Sequence, residues 1–296
     1  MPPRQATASG RASRADIDET PRRPPPIVAT TSESNVAKCP VRHHGAVTVR
    51  RTASLLPALL VSALLLVALL PAPAQAAAGP LIEKIVIGTS VQGRPIVAVH
   101  RWRPGATRTL LVIGNMHGDE RAGLRVVHRL RTHSFPTTVD LWLIRSMNPD
   151  GTAADRRTNA HGVDLNRNFP RFWRSEGKGT SHWSGPSAGS EPETRALLSF
   201  VRRIQPRTTI VFHQPLFGVD SYRAKSMRLV RRLSRESGLP VKSFDCRGGC
   251  HGTFTGWLNK RTPGRAVTVE FGDRASHARI VRMKRAVLTV ARPPTP

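Results

Sequence analysis

One tyrosine, three cysteines and 19 acidic residues are all that this chain of 296 residues holds of those types. The lone Tyr222, with no basic run interleaved with aromatics, argues against a base-stacking platform, so no nucleic-acid partner is expected. Against the few acids stand 46 Lys and Arg, for a formal charge of +27. That excess favours anionic partners such as a polyanionic cell wall or acidic peptides. Arginine outnumbers lysine 39 to 7, which marks a GC-rich coding sequence first and a functional signal second. Most of these arginines read as a solvated basic surface, although the guanidinium is also the better planar grip for carboxylates and phosphates.

Aliphatic patterning is missing from residues 1–49, a Pro-, Arg- and Ser-rich leader expected to be disordered. Residues 50–78 differ. Arg50-Arg51 precede the apolar run Leu55–Leu70, which exits through PAPAQAAAG. A basic start, an apolar core and small residues at the exit describe a secretory signal. The run is short for a membrane span and carries Pro57, and Ala74-Gln75-Ala76 supplies an A-x-A site. Cleavage near Ala76–Ala78 is expected, in preference to a retained anchor, which gives a secreted protein of the extracytoplasmic, cell-wall space. The long leader is unusual for a signal, and a start near Val47 or Val49 is the alternative. Cleavage would also remove Cys39. Cys246 and Cys250 then form an even pair in an exported chain, as a local disulfide requires. A metal reading of this Cys-x-x-x-Cys has no second pair to complete it.

No internal repeat or second domain boundary interrupts residues 79–296. Strands are expected at Ile82–Ile87, Pro95–Arg101, Thr109–Gly114, Val139–Arg145, Thr208–Phe212 and Val267–Phe271. TLLVIG has the continuous apolar character of a strand buried on both faces. Helical spacing marks Asp119–Thr132, Arg223–Glu236 and Arg274–Leu288. Ser190-Glu191-Pro192-Glu193 reads as a capping box opening a helix to Ile204. Asn148–Gly151 reads as a turn. Alternating strands and helices indicate an α/β domain with a mixed, largely parallel sheet flanked by helices.

The chemistry lies at strand ends. His117 and Glu120 follow TLLVIGN, where open α/β sheets place ligand sites, and together they can reach one metal ion. His-x-x-Glu alone is weak, and a salt-bridged surface histidine would explain it equally. His213 ending TTIVFH and Glu270 inside VTVEF strengthen the reading, because a carboxylate in an apolar strand is costly without a partner or a task.

With these residues in place, the chain resembles the zinc carboxypeptidase (metallocarboxypeptidase) family. The resemblance runs through Gly93–Pro95 (GRP), His117–Glu120, Asn148–Gly151, Arg157–Pro170 (RTNAHGVDLNRNFP), Ser190–Thr194 (SEPET), His213 and Glu270, in the family's order. GVDLNRNFP, SEPET and HQP are most similar to the small bacterial amidases that cut γ-D-glutamyl–diaminopimelate bonds in murein peptides. The resemblance implies a zinc carboxypeptidase-like fold and one Zn2+ per chain, held by His117, Glu120 and His213. It further implies Glu270 as general base, Arg157 as oxyanion stabiliser, and Asn166 and Arg167 as binders of the substrate carboxylate. Asp164 would accept from a zinc-bound imidazole. Asn159, His161 and Asn168 are left to brace the loop.

Two departures stand out. Many members carry a tyrosine before the catalytic glutamate, whereas here the stretch is CHGTFTGWL, Cys250–Leu258. His251 could take that role or be a solvent-facing loop histidine. Asp220 could meet a cationic substrate group or be an ordinary loop aspartate. Two alternatives to the peptidase are a deacylase of N-acyl amino acids related to the aspartoacylases, and a catalytically vestigial wall-binding protein.

Overall fold

A computed structural model describes residues 79–246 and 250–292. The leader and the signal segment lie outside the described residues. Eight strands form one sheet: β1 (Leu81–Thr89), β2 (Pro95–Trp102), β3 (Arg108–Ile113), β4 (Val139–Ile144), β5 (Thr208–His213), β6 (Gly218–Asp220), β7 (Val241–Lys242) and β8 (Arg265–Glu270). Their order is β1-β2-β4-β3-β5-β8-β6-β7. The central β4-β3-β5-β8 block is parallel, while β1, β2 and β6 join antiparallel.

Among the described residues the α-helices are α1 (Ala122–Leu130), α2 (Pro149–Ala153), α3 (Pro192–Ile204), α4 (Met227–Ser237), α5 (Phe254–Arg261) and α6 (His277–Ala291). Side chains alternate across a strand, so a strand buried on both faces feeds two cores. In β3, Leu110 and Val112 pack with α1, α4 and α6, whereas Leu111 and Ile113 pack with α3 and α5. Leu141 and Leu143 of β4 divide from Trp142 and Ile144 in the same way. The sheet is thereby sandwiched between two helical layers.

From β3 the chain steps to β4 on one side and later returns to β5 on the other. The crevice between the carboxyl ends of β3 and β5 is the topological switch point of the sheet. Among the described residues, no helix is long and apolar enough to cross a membrane.

Four sequence expectations change. Asn148–Gly151 is the start of the short helix α2, whose first turn Asn148 caps by accepting from the Gly151 N–H at 2.8 Å. Helix α3 begins at Pro192 with Glu191 at its N-cap and no side-chain cap. Ser190, expected to cap it, instead donates to Glu191 and accepts from Asn168. Helix α4 starts at Met227, because Arg223 holds a left-handed φ of 49° and Ser226 supplies the cap. Phe254–Leu258, expected as part of the loop before the catalytic glutamate, instead opens helix α5.

Candidate active site

His117 leaves the end of β3 into a tight turn. Gly118 is needed there because a β-carbon would collide with the backbone of Gly151. The turn carries Glu120 back beneath His117, with His117 Nδ1 2.7 Å from Glu120 Oε1. His213 ends β5, the neighbouring strand, and its Nδ1 lies 2.9 Å from Glu120 Oε2 and 3.2 Å from His117 Nδ1. Metal-ligating atoms of these three buried residues all lie within 4.8 Å of one another.

The electrostatics follow from that burial. Burial alone would lower the His117 pKa, but the carboxylates of Glu120 and Asp164 outweigh it and raise the imidazole to about 9. Burial would raise Glu120, yet His117 and His213 pull it to about 2. Two imidazole nitrogens facing each other across one carboxylate, in a dry site, form a donor set suited to zinc with a position left for water.

Asp164 caps the 3-10 turn Leu165–Arg167 through the Asn166 N–H. Its Oδ1 meets His117 Nε2 at 2.9 Å and its Oδ2 accepts from Arg157 Nε and Nη2 at 3.0 and 2.7 Å. Burial opposes its ionisation, but His117 and Arg157 hold the carboxyl well below the usual range. Arg157 Nη1 stands 3.5 Å from Glu120 Oε1, so the guanidinium is at the edge of the cluster. Asn166 Oδ1 accepts from the Phe254 N–H, and Arg167 Nη2 reaches Cys246 Sγ at 3.8 Å.

Glu270 ends β8 in register with His213. Its side chain is buried, and among the described residues its hydrogen bonding is a long 3.4 Å contact from the Leu216 N–H. Burial, only partly offset by His213, raises its carboxyl above the ordinary glutamate value. A buried carboxyl of raised pKa beside a metal-binding cluster has the character of an acid–base group.

The structure thus brings together His117, Glu120, His213, Asp164, Arg157 and Glu270, while Asn166 and Arg167 lie on the adjoining turn with their side chains against Phe254 and Cys246. The remaining motif residues are braces. Asn159 donates to Glu191 and Glu193, and His161 contacts Glu191 at 2.8 Å. Asn168 binds the carbonyls of Ser184 and Ser187, and accepts from the Glu191 N–H. Asn148 Nδ2 donates to the Arg157 carbonyl, and Asp150 accepts from Ser90 Oγ and the Gln92 N–H beside the GRP turn. Gln214 was missed: its Oε1 accepts the first N–H of α1, while its Nε2 binds the Gly272 and Asp273 carbonyls. His182 was missed as well, although Arg157 and Arg167 are close enough to add to the effect of burial in depressing its pKa. Neither carries a local pattern that names a partner. His251 is half-buried and not solvent-facing, with Nδ1 lacking a hydrogen bond among the described residues. Cys246 and Cys250 form the expected disulfide.

The family profile described as "Zinc carboxypeptidase" matches residues 74–215. Murein peptide amidase A of Vibrio campbellii is 31% identical over 194 residues, covering 61% of this chain and 76% of that protein. The chain belongs to the zinc carboxypeptidase family. Murein peptide amidase A of Escherichia coli K12 is 36% identical over 151 residues, 46% of this chain, which spans 61% of that relative's length. The crystal structure of murein-tripeptide amidase MpaA from Escherichia coli O157 matches with a TM-score of 0.62 and 26% identity. The match covers 76% of this chain and 98% of that one. Carboxypeptidase A from Helicoverpa armigera matches at 0.61 with 14% identity over 71% of this chain and 68% of that one, a likeness of fold. Within this member of the family, His117, Glu120 and His213 are the buried group that could hold the metal.

Proposed function

We propose that the chain is an exported zinc peptidase that hydrolyses an amide bond beside the C-terminal carboxylate of a murein peptide, such as γ-D-glutamyl–diaminopimelate. The observation that carries this reading is the buried His117–Glu120–His213 donor set with Glu270 beside it in register. Likeness to the two murein peptide amidases supports the substrate class. Export rests on the apolar segment and A-x-A site of residues 50–78.

When bound, zinc polarises the scissile carbonyl and lowers the pKa of its water. Glu270 takes a proton from the attacking water as its oxygen bonds to the carbonyl carbon. Arg157 faces the negative oxygen that results, a role in which a preorganised cation contributes several kcal/mol. As the C–N bond breaks, Glu270 returns the proton to the departing amine. Asn166 and Arg167 hold the substrate's terminal carboxylate with planar donors. Asp164 accepts from His117 Nε2, fixing the ring tautomer, and also sets the angle of Arg157.

The test is a hydrolysis panel of γ-D-Glu–diaminopimelate peptides, ordinary L-peptides with basic, apolar or acidic ends, and N-acyl amino acids. The murein peptides are expected to be cut. Glu270→Gln should lose about a hundredfold or more in kcat, as expected for removal of a general base, while keeping about one zinc per chain. Cleavage of acyl-amino acids alone would replace this reading with the deacylase. Purified protein that neither holds nor regains zinc would point to the vestigial wall binder.

A further inference from the structure

At the amino ends of the central strands, the end of the sheet away from His213 and Glu270, a cavity of about 260 Å³ is lined by Arg108, Arg207, Arg228, Arg232 and Arg265. Its floor follows from strand register. Thr208 of β5 pairs with Arg265 of β8 on one side and with Leu110 of β3, two residues after Arg108, on the other. Residues two apart share a face of a strand, and Leu110, Ile210 and Val267 all pack in the core that includes α4 and α6. Arg108, Thr208 and Arg265 therefore stand side by side on that face, where its core ends. Over them lies the start of α4, which also lines the cavity. Ser226 caps this helix by accepting from the Leu229 N–H at 3.3 Å, and no acid occupies the first turn. Arg228 and Arg232 follow one turn apart on one helix face.

No carboxylate lines this space. Arg108, Arg232 and Arg265 are half-buried, while Arg207 and Arg228 are exposed. The Thr289 and Arg292 carbonyls hold Arg232 at 2.8 and 3.1 Å, which orients its charge without cancelling it. The side chains of Arg108, Arg207, Arg228 and Arg265 make no ion pair or hydrogen bond among the described residues. Asp140, the acid on the strand beside β3, serves the other face, where it accepts from Thr109 Oγ1 and pairs with His100. Burial and then the charges of Arg207, Arg265 and Arg232 weaken the hold of Arg108 on its proton. Like charges gathered at the rim of a core destabilise the fold until an anion joins them. A carboxylate offers two oxygens to one guanidinium fork. Guanidiniums arriving from two strands and a helix instead suit the tetrahedral oxygens of a phosphate, and the positive end of the α4 dipole lies at the same rim.

We infer that this cavity binds a phosphate group, free or esterified, with Arg108, Arg232 and Arg265 around its oxygens and the Thr208 hydroxyl donating to one of them. Arg207 and Arg228 stand at the mouth and draw the anion in. Strands β5 and β8 are each six residues long, so about 17 Å of strand separates this site from His213 and Glu270. The inference is therefore independent of which amide bond the cleft cuts.

The experiment titrates inorganic phosphate, glycerol 3-phosphate and a glycerol phosphate polymer into the purified protein by calorimetry, at constant ionic strength set with chloride. Saturable binding at one site is expected for inorganic phosphate or the ester, and the tighter of the two tells a free ion from an ester-borne group. Arg108→Gln with Arg265→Gln should weaken it by about a hundredfold, at about tenfold for each charge-assisted bond. The exposed pair Arg207→Gln with Arg228→Gln should weaken it by about fivefold, as surface charges do. Without phosphate the first variant should melt at or above the parent temperature, because two converging charges are gone. If it does not fold, the exposed pair decides. Heats no different from those of chloride would overturn the inference, as would equal weakening by Arg129→Gln with Lys284→Gln, which lie outside the cavity. Binding of the polymer alone would overturn it too, marking a diffuse field in place of a site. Peptide hydrolysis should stay at the parent rate in every variant, and a fall in step with phosphate binding would overturn the separation of the two sites.

Discussion

His117 shows how one residue links protonation to metal capture. Between Glu120 on Nδ1 and Asp164 on Nε2, the metal-free ring keeps a second proton up to about pH 9. A histidine raised in this way stabilises the fold fully below its unfolded pKa of about 6.5, and loses that contribution as pH rises through about 9. Glu120 works in the opposite sense, contributing above its ordinary value and losing the contribution only as pH falls through about 2. Zinc needs the neutral imidazole, so binding must expel the extra proton. Near pH 7.5 we expect about one proton released per zinc, read as the dependence of calorimetric heat on buffer ionisation enthalpy. Affinity should climb with pH and level off near 9. Zero proton release would contradict the His117 pairing. Asp164→Asn should reduce the release, because one of the two carboxylates that hold the proton becomes neutral.

At the scale of elements, α5 is the part that sequence reading mistook. FTGWLNKR has a threonine and a glycine near its start and only eight residues, and its neighbours are Gly252, Thr253 and Pro263. Local signals of that kind suit a loop. What makes it a helix is long-range: Phe254, Trp257 and Leu258 bury against Phe169 and β8, and the Phe254 N–H is held by Asn166 Oδ1. By contrast, β3, β5 and β8 were legible from their apolar runs, with His213 and Glu270 closing β5 and β8 and His117 four residues past β3. The order of the site was legible because His117 and Glu120 follow β3 and His213 closes β5. The capping box at Ser190 failed for a related reason: the side chain had a better use, holding Asn168 across 22 residues. Thr253 is now the cap of α5, its Oγ1 accepting from the Gly256 N–H at 3.3 Å. Thr253→Ala should cost about 1 kcal/mol of stability, as lost N-caps do, seen as a lower denaturant midpoint at unchanged slope. Because α5 holds the Asn166 loop, KM for the peptide should rise with it. A variant with native stability would show that tertiary packing alone sustains this helix.

For the whole molecule, the charge excess is unevenly used. Helices α1, α4 and α6 form one layer and carry ten Arg and Lys against a single acid, Glu236. A groove of about 640 Å³ on that layer is lined by Arg121, Arg125, Arg129, His133, Arg145 and Lys284 with no carboxylate among its walls. Two of these cations face imidazoles, Arg129 3.3 Å from the His277 ring and Lys284 3.3 Å from that of His133, while Arg121 pairs with Asp155. Burial and then Lys284 lower the His133 pKa, and an imidazole has no negative charge with which to cancel the lysine. Such a field attracts polyanions at long range and fades as salt shortens the Debye length from about 10 Å at 0.1 M to about 3 Å at 1 M. The protein should therefore be retained by a phosphate-bearing polymer matrix at low salt and released across that range. Arg129→Glu with Lys284→Glu should elute at clearly lower salt, yet hydrolyse a small soluble peptide at the parent rate, since neither residue adjoins His117, His213 or Glu270. Equal elution of variant and parent would mean that the charge acts as a diffuse solvated surface, with no contribution particular to this layer.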